Sequence, residues 1–155
     1  MQVQSKFGNV GYGHQLDRAR RFLERIQGQL TSDVEFQDMA WSFFQHCWHI
    51  KDWLKHDPLV SEDTKQAVIN AAHASPVLKI CRQLCNGTKH LSDYPAHHSH
   101  VNTTITPGSG QPSDMDCIIE DGQGGQLSGK ALAQKCVAEW EHILDSEGLA
   151  TERLS

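Results

Sequence analysis

Apolar residues recur at helical spacing along most of this chain. The first stretch, 14–30, carries Leu16, Ala19, Leu23, Ile26 and Leu30 at intervals of three and four, with Arg18, Arg21, Glu24 and Arg25 mostly outside. That pattern predicts an amphipathic helix. Thr31-Ser32-Asp33 breaks it, and Ser32 with Glu35 forms a capping-box signal opening a second helix. The second helix, about 33–56, has the clearest pattern. Phe36, Ala40, Phe43, Cys47, Ile50 and Leu54 fall on one stripe, which Trp41, Phe44 and Trp48 widen, so this helix is expected at the centre. Asp57-Pro58 ends it, because the residue before proline disfavours helix. Ser61-Glu62-Asp63 caps a short third helix ending near Ala72. Ser75-Pro76 opens a fourth, with Val77, Ile80, Cys81, Leu84 and Cys85 as its buried face and an end near Leu91.

Between residues 92 and 127 the period changes. His100–Thr106 and Asp114–Glu120 read as strands joined by Pro107-Gly108-Ser109-Gly110-Gln111-Pro112, a hairpin that must pack on the bundle or on another subunit. A last helix, about 128–146, turns Leu132, Cys136, Trp140 and Ile143 inward and stops at Gly148. Residues 1–13 are polar and Gly-rich, and are expected to be extended or loose. The predicted fold is all-α: an antiparallel bundle of four to five helices with a β-hairpin inserted near 100–120, in a single domain over 1–155.

Composition narrows the function classes. With 38% hydrophobic and 21% charged residues the chain is globular rather than disordered. Its net charge of -5 argues against a broad nucleic-acid-coating surface, while leaving room for one local basic site. The five cysteines are odd in number and unevenly spaced. Cys81 and Cys85 stand one turn apart with no second pair to complete a zinc site, so reduced core thiols and a cytoplasmic setting are expected. No segment reads as a signal peptide or a membrane span, so no membrane partner is expected. Gly122-Gln123-Gly124-Gly125 lacks the Lys-Ser/Thr of a phosphate loop, and neither a nucleophile elbow nor a zinc-protease motif occurs. No cofactor is therefore expected.

Two polar clusters stand out against this background. His46-Cys47-Trp48-His49-Ile50-Lys51-Asp52-Trp53 puts His46, His49, Trp53 and His56 on one side of the second helix, with Asp52 at the border. His49 and Asp52, three apart, are within reach of each other, and a carboxylate beside an imidazole fixes its tautomer and raises its basicity. The competing reading pairs Asp52 with Lys51 or Lys55 on a wet face. Trp53 on a polar face predicts a covering partner. On the fourth helix Arg82, Asn86, Lys89 and His90 form one line. Arg and Lys suit phosphate, His moves a proton, and Asn orients a base edge or a water. The plainer alternative is that Asn86-Gly87 frays the helix end and the basic residues complement its dipole. His97, His98 and His100 fit no metalloenzyme spacing, and neither they nor His46 and His49 are assigned a metal.

The two segments Phe43–Leu54 and Ile80–Leu91 resemble a group of uncharacterised bacterial and phage proteins that share His-x-x-Asp-Trp and a later Asn-x-x-Lys-His. This pattern is similar to that of the HEPN superfamily of small helical bundles, over roughly residues 14–91. The resemblance implies a homodimer with a metal-independent endoribonuclease or nucleotide-binding role in a toxin or antiphage system. Its partners would be RNA, a nucleotide or an antitoxin-like protein. In that role His90 acts as general acid or base, Arg82 and Lys89 bind phosphate, Asn86 orients the substrate, and His49 and Asp52 support from the preceding helix. Family nucleases place four to six residues between Arg and His, whereas seven separate Arg82 from His90 here. The alternative is a non-catalytic dimeric interaction protein whose polar clusters form a structural network.

Overall fold

Four serines mark where helices begin. In a computed structural model describing residues 4–5, 8–9, 11–28, 30, 32–89, 100–106, 116–120 and 125–154, the elements run as follows: β1 (Gln4–Ser5), β2 (Gly8–Asn9), α1 (Tyr12–Gln27), α2 (Asp33–Trp48), α3 (Ile50–Lys55), α4 (Glu62–Ala74), α5 (Pro76–Lys89), β3 (His100–Thr106), β4 (Asp116–Glu120), β5 (Gln126–Ser128) and α6 (Gly129–Ser146). Ser32 Oγ accepts from Glu35 N at 3.1 Å, Ser61 Oγ from Thr64 N at 3.3 Å, Ser75 Oγ from Leu78 N at 3.2 Å and Ser128 Oγ from Ala131 N at 3.2 Å. Each satisfies an amide that the first helical turn leaves without an intrahelical acceptor. The protein is thus mostly helical, as its periodicity predicts.

The segment predicted as one helix over 33–56 is two, α2 and α3, meeting at His49 (φ -70°, ψ -6°). His49 N still donates to Gln45 O at 3.0 Å, and Trp53 N to His49 O at 3.2 Å, so the rod relaxes there without being cut. α2 is central, packing on α1, α5 and α6. Phe36, Phe43, Phe44 and Cys47 on α2 meet Cys81 and Leu84 of α5 and Cys136, Trp140 and Leu144 of α6 in one core. On α5, Leu78 rather than Val77 or Ile80 is fully buried, and the latter two are half-buried.

The expected hairpin gains a third strand. β3, β4 and β5 form an antiparallel sheet in that order, with His100 opposite Glu120 and Ile118 opposite Ser128. β4 buries Cys117 and Ile119, and the strand packs on α6. Gly129, the first residue of α6, lies so close to β4 that a Cβ there would overlap Cys117 Sγ and approach Cys117 O to 3.3 Å. In the N-terminal segment expected to be extended or loose, residues 4–5 and 8–9 form a short antiparallel ladder pairing Gln4 with Asn9.

At its far end α6 closes with Gly148 N donating to Asp145 O (3.0 Å) and Leu149 N to Leu144 O (2.9 Å), Gly148 having φ +75°. This is the reversal that a glycine permits after the last helical turn. It sends residues 149–154 back along α1. Tyr12 Oη donates to Ala150 O at 2.8 Å, Leu154 N to Asp17 Oδ2 at 2.9 Å, and Arg153 pairs with Glu24. Beneath this strap Arg20, only 9% exposed, donates to Asp17 Oδ1 at 2.9 Å, to Glu141 Oε1 at 3.2 Å and to Thr151 O. Every charge in this buried set has a partner, the condition under which burial of ions is tolerated.

Candidate functional site

The polar side of the α2–α3 rod carries two groups of side chains, one facing α1 and one facing α4 and α5. Toward α4 and α5, Trp48 is 5% exposed because cations cover its ring. Lys51 Nζ lies 5.3 Å and the Arg82 guanidinium 5.9 Å from the ring centroid, and the His73 imidazole meets the same ring edge-on at 5.4 Å. Lys51 also pairs with Asp52 at 2.9 Å, the arrangement that the competing wet-face reading gives. Arg82 Nη1 lies 3.1 Å from His73 Nδ1. Arginine only donates, so Nδ1 must accept and the neutral ring carries its proton on Nε2. Partial burial, Arg82 and Lys51 all hold the His73 pKa below its usual value.

The predicted site residues therefore meet in part. His49 Nε2 lies 3.8 Å from Cys85 Sγ, so the α2–α3 junction and α5 bring the two polar clusters together. Arg82 joins the Trp48 group, Asn86 is exposed on α5, and Lys89 is the last residue of that helix. His90, with His97 and His98, lies outside the described residues. His73 was missed by sequence reasoning: it belongs to α4, nine residues before Arg82, and only the turn at Ser75-Pro76 brings the two together.

Toward α1, a second group is organised by Gln15. Its Oε1 accepts from Arg18 Nη1 at 2.6 Å, which forces Nε2 toward His46. There Nε2 donates to His46 O at 2.9 Å and sits 3.3 Å from His46 Nδ1. Nδ1 must then accept, leaving the His46 proton on Nε2. The ring stacks on Phe22 with centroids 4.8 Å apart and planes inclined by 13°. Burial, then Arg18, then His49 lower the His46 pKa. Arg18 also lies 5.1 Å from the centroid of the Trp53 ring, the covering partner that Trp53 required. Arg18, Arg21, Phe22, Arg25 and His46 line an open cleft of about 330 Å³.

The lowered His46 pKa gives stability a sign with pH. The unfolded chain takes up the His46 proton near its ordinary value of about 6.5, before the folded chain does. The contribution is therefore complete above that value and is lost as pH falls through the lower folded pKa. Between pH 7.5 and 5 the wild-type melting temperature is expected to fall more steeply than that of His46→Gln, as scanning calorimetry at several pH values would read.

The thiols are sealed in the core: hydrogen bonds from Cys47 and Cys81 draw the Cys136 thiol down to about 5, but its side chain is fully buried. All five cysteines are free and buried. Cys81 Sγ donates to Phe44 O at 3.5 Å. Burial pushes the Cys47 and Cys81 thiols well above their ordinary range, and burial with Asp116 nearby lifts Cys117 to about 12. A thiol held protonated is a poor nucleophile. Among the described residues no group of three or more His, Cys, Asp or Glu side chains is arranged to hold a metal ion, and no helix is long and apolar enough to cross a membrane. Comparison of the chain with protein-family models, curated proteins and solved structures returns no match.

Proposed function

We propose that this chain is a HEPN-like, cytoplasmic protein that binds the phosphates of RNA or of a nucleotide at the inter-helix surface of Lys51, His73 and Arg82. One observation carries the reading: cations from α3 and α5 converge on the Trp48 ring, with a neutral imidazole beside them. Arg82 and Lys51 suit phosphate oxygens, and the His73 Nε2–H adds a donor that needs no charge. His73 Nδ1 is occupied by Arg82, so this ring donates rather than abstracts a proton. Cleavage of a bound RNA would then rest on His90, the acid–base residue that the family resemblance implies, with Asn86 orienting the substrate and Lys89 binding phosphate as that resemblance has them.

Binding of single-stranded RNA, measured by anisotropy across a salt series with chelator present, tests this. Losing two phosphate contacts in Lys51→Gln/Arg82→Gln is expected to flatten the slope of log affinity against log salt by about 1.4. Unchanged affinity and slope would overturn the proposal. His90→Ala should keep binding and abolish cleavage if the protein is an endoribonuclease. A second reading rests on the internal pairing of Asp52 with Lys51, Arg82 with His73 and His49 with Cys85. In it the clusters lock helix packing in a non-catalytic homodimer that takes a protein partner. A lowered melting temperature in the double variant, with RNA binding intact, favours that reading.

A further inference from the structure

The α1 side of the bundle concentrates positive charge on a protein whose net charge is -5. Arg18, Arg21 and Arg25 occupy positions i, i+3 and i+7 of α1, so all three project from one side of the helix. The carboxylates of the same helix are engaged elsewhere. Asp17 is taken by Arg20 and Leu154 N, and Glu24 by Arg153. Among the described residues none of the three arginines has an ion-pair partner; Arg18 is held by Gln15 and Trp53, and Arg25 lies 5.8 Å from the Phe22 ring centroid. Like charges at this spacing weaken a helix, a cost that an anion between them would reverse. Arg21 and Arg25 are exposed, and among the described residues no carboxylate pairs with either.

We infer that the cleft bounded by Arg18, Arg21, Phe22, Arg25 and His46 is a binding site for adjacent phosphoryl oxyanions, as presented by a nucleotide polyphosphate or by an RNA backbone. Its shape and chemistry agree. At about 330 Å³ the cleft is of small-ligand size. Guanidinium forks match phosphate oxygens in pairs. The Gln15–His46 bond leaves the His46 Nε2–H as a neutral donor on the cleft-lining ring, and the Phe22 stack fixes the plane of that ring. The site shares no residue with the Lys51–His73–Arg82 surface and stands independently of it.

The test is a titration of the full chain with inorganic pyrophosphate, read at the His46 ring by NMR and in parallel by calorimetry. The expected result is a saturable shift of the His46 resonances. Affinity should fall at least tenfold in Arg21→Gln/Arg25→Gln and stay unchanged in Lys79→Gln/Lys135→Gln, which removes the same charge from exposed positions outside the cleft. Arg21 and Arg25 are exposed, so the variant keeps the fold. A single-stranded RNA oligomer titrated in the same way identifies the source. Movement of the His46 signals by RNA, lost in the arginine variant, assigns the cleft to a nucleic-acid backbone; pyrophosphate binding without RNA binding assigns it to a nucleotide polyphosphate. No movement of His46 with either probe, or equal loss in the lysine control, overturns the inference.

Discussion

Arg20→Ala is expected to destabilise the protein by about 3–5 kcal/mol, the usual result of removing one partner from a buried ion set, with a fall in Tm on the order of 10 °C. The side chain lost ties together α1, α6 and the returning strap. Its guanidinium serves Asp17 on its own helix, Glu141 on α6 and Thr151 O in the returning strap. Without it Asp17, 6% exposed, keeps only the Leu154 amide as a donor among the described residues. Arg20→Met combined with Asp17→Leu should cost much less than the sum of the two single changes, because no charge is then stranded. Denaturant unfolding of the four proteins completes the cycle. Additive losses would show that the pair is not the unit at work.

Gly129→Ala carries the second large effect, about 3 kcal/mol, at the upper end of what overpacking usually costs. A helix start ordinarily accepts alanine. Here the added methyl overlaps Cys117 Sγ and is confined by Cys117 O on β4 and by Asp116 Oδ1 at 3.5 Å. Asp116 cannot easily yield, since its Oδ1 accepts from Lys130 N at 3.0 Å and its Oδ2 from Ser128 Oγ. Cys117→Ala removes the obstructing sulfur and should recover part of the loss in the double variant, measured as Tm. If Gly129→Ala alone melts with the wild type, the close seating of α6 on β4 is wrong.

Helices were legible where one stretch of sequence contains its own reasons. The stripe of Phe36, Ala40, Phe43, Cys47, Ile50 and Leu54 and the caps at Ser32, Ser61 and Ser75 are local patterns, and the structure follows them. The interruption at His49 was not legible, because a stripe of apolar residues runs through a small opening of ψ without changing. Nor was the third strand, three residues whose order depends on pairing with β4. Polar burial was the largest omission. Nothing in the sequence of α1 marks Arg20 and Asp17 as buried, and the groups that complete their pairing arrive from residues 141–154. The same limit governs the candidate sites. Arg82 was identifiable as a phosphate-binding type, but its placement beside His73 and Trp48 is a property of how three helices pack.

The strap from residue 149 to 154 gives the fold an order in time. The carbonyl of Thr151 that caps Arg20 is made 131 residues after it. At ribosomal rates of about 5–20 residues per second, that interval is roughly 7–26 seconds. Throughout it Arg20 lacks the acceptors contributed by α6 and the strap, so it cannot hold its buried position with its full set of partners until then. Completion of the strap is what closes α1 into a wall of the bundle, and that step waits for residues 149–154 to be synthesised.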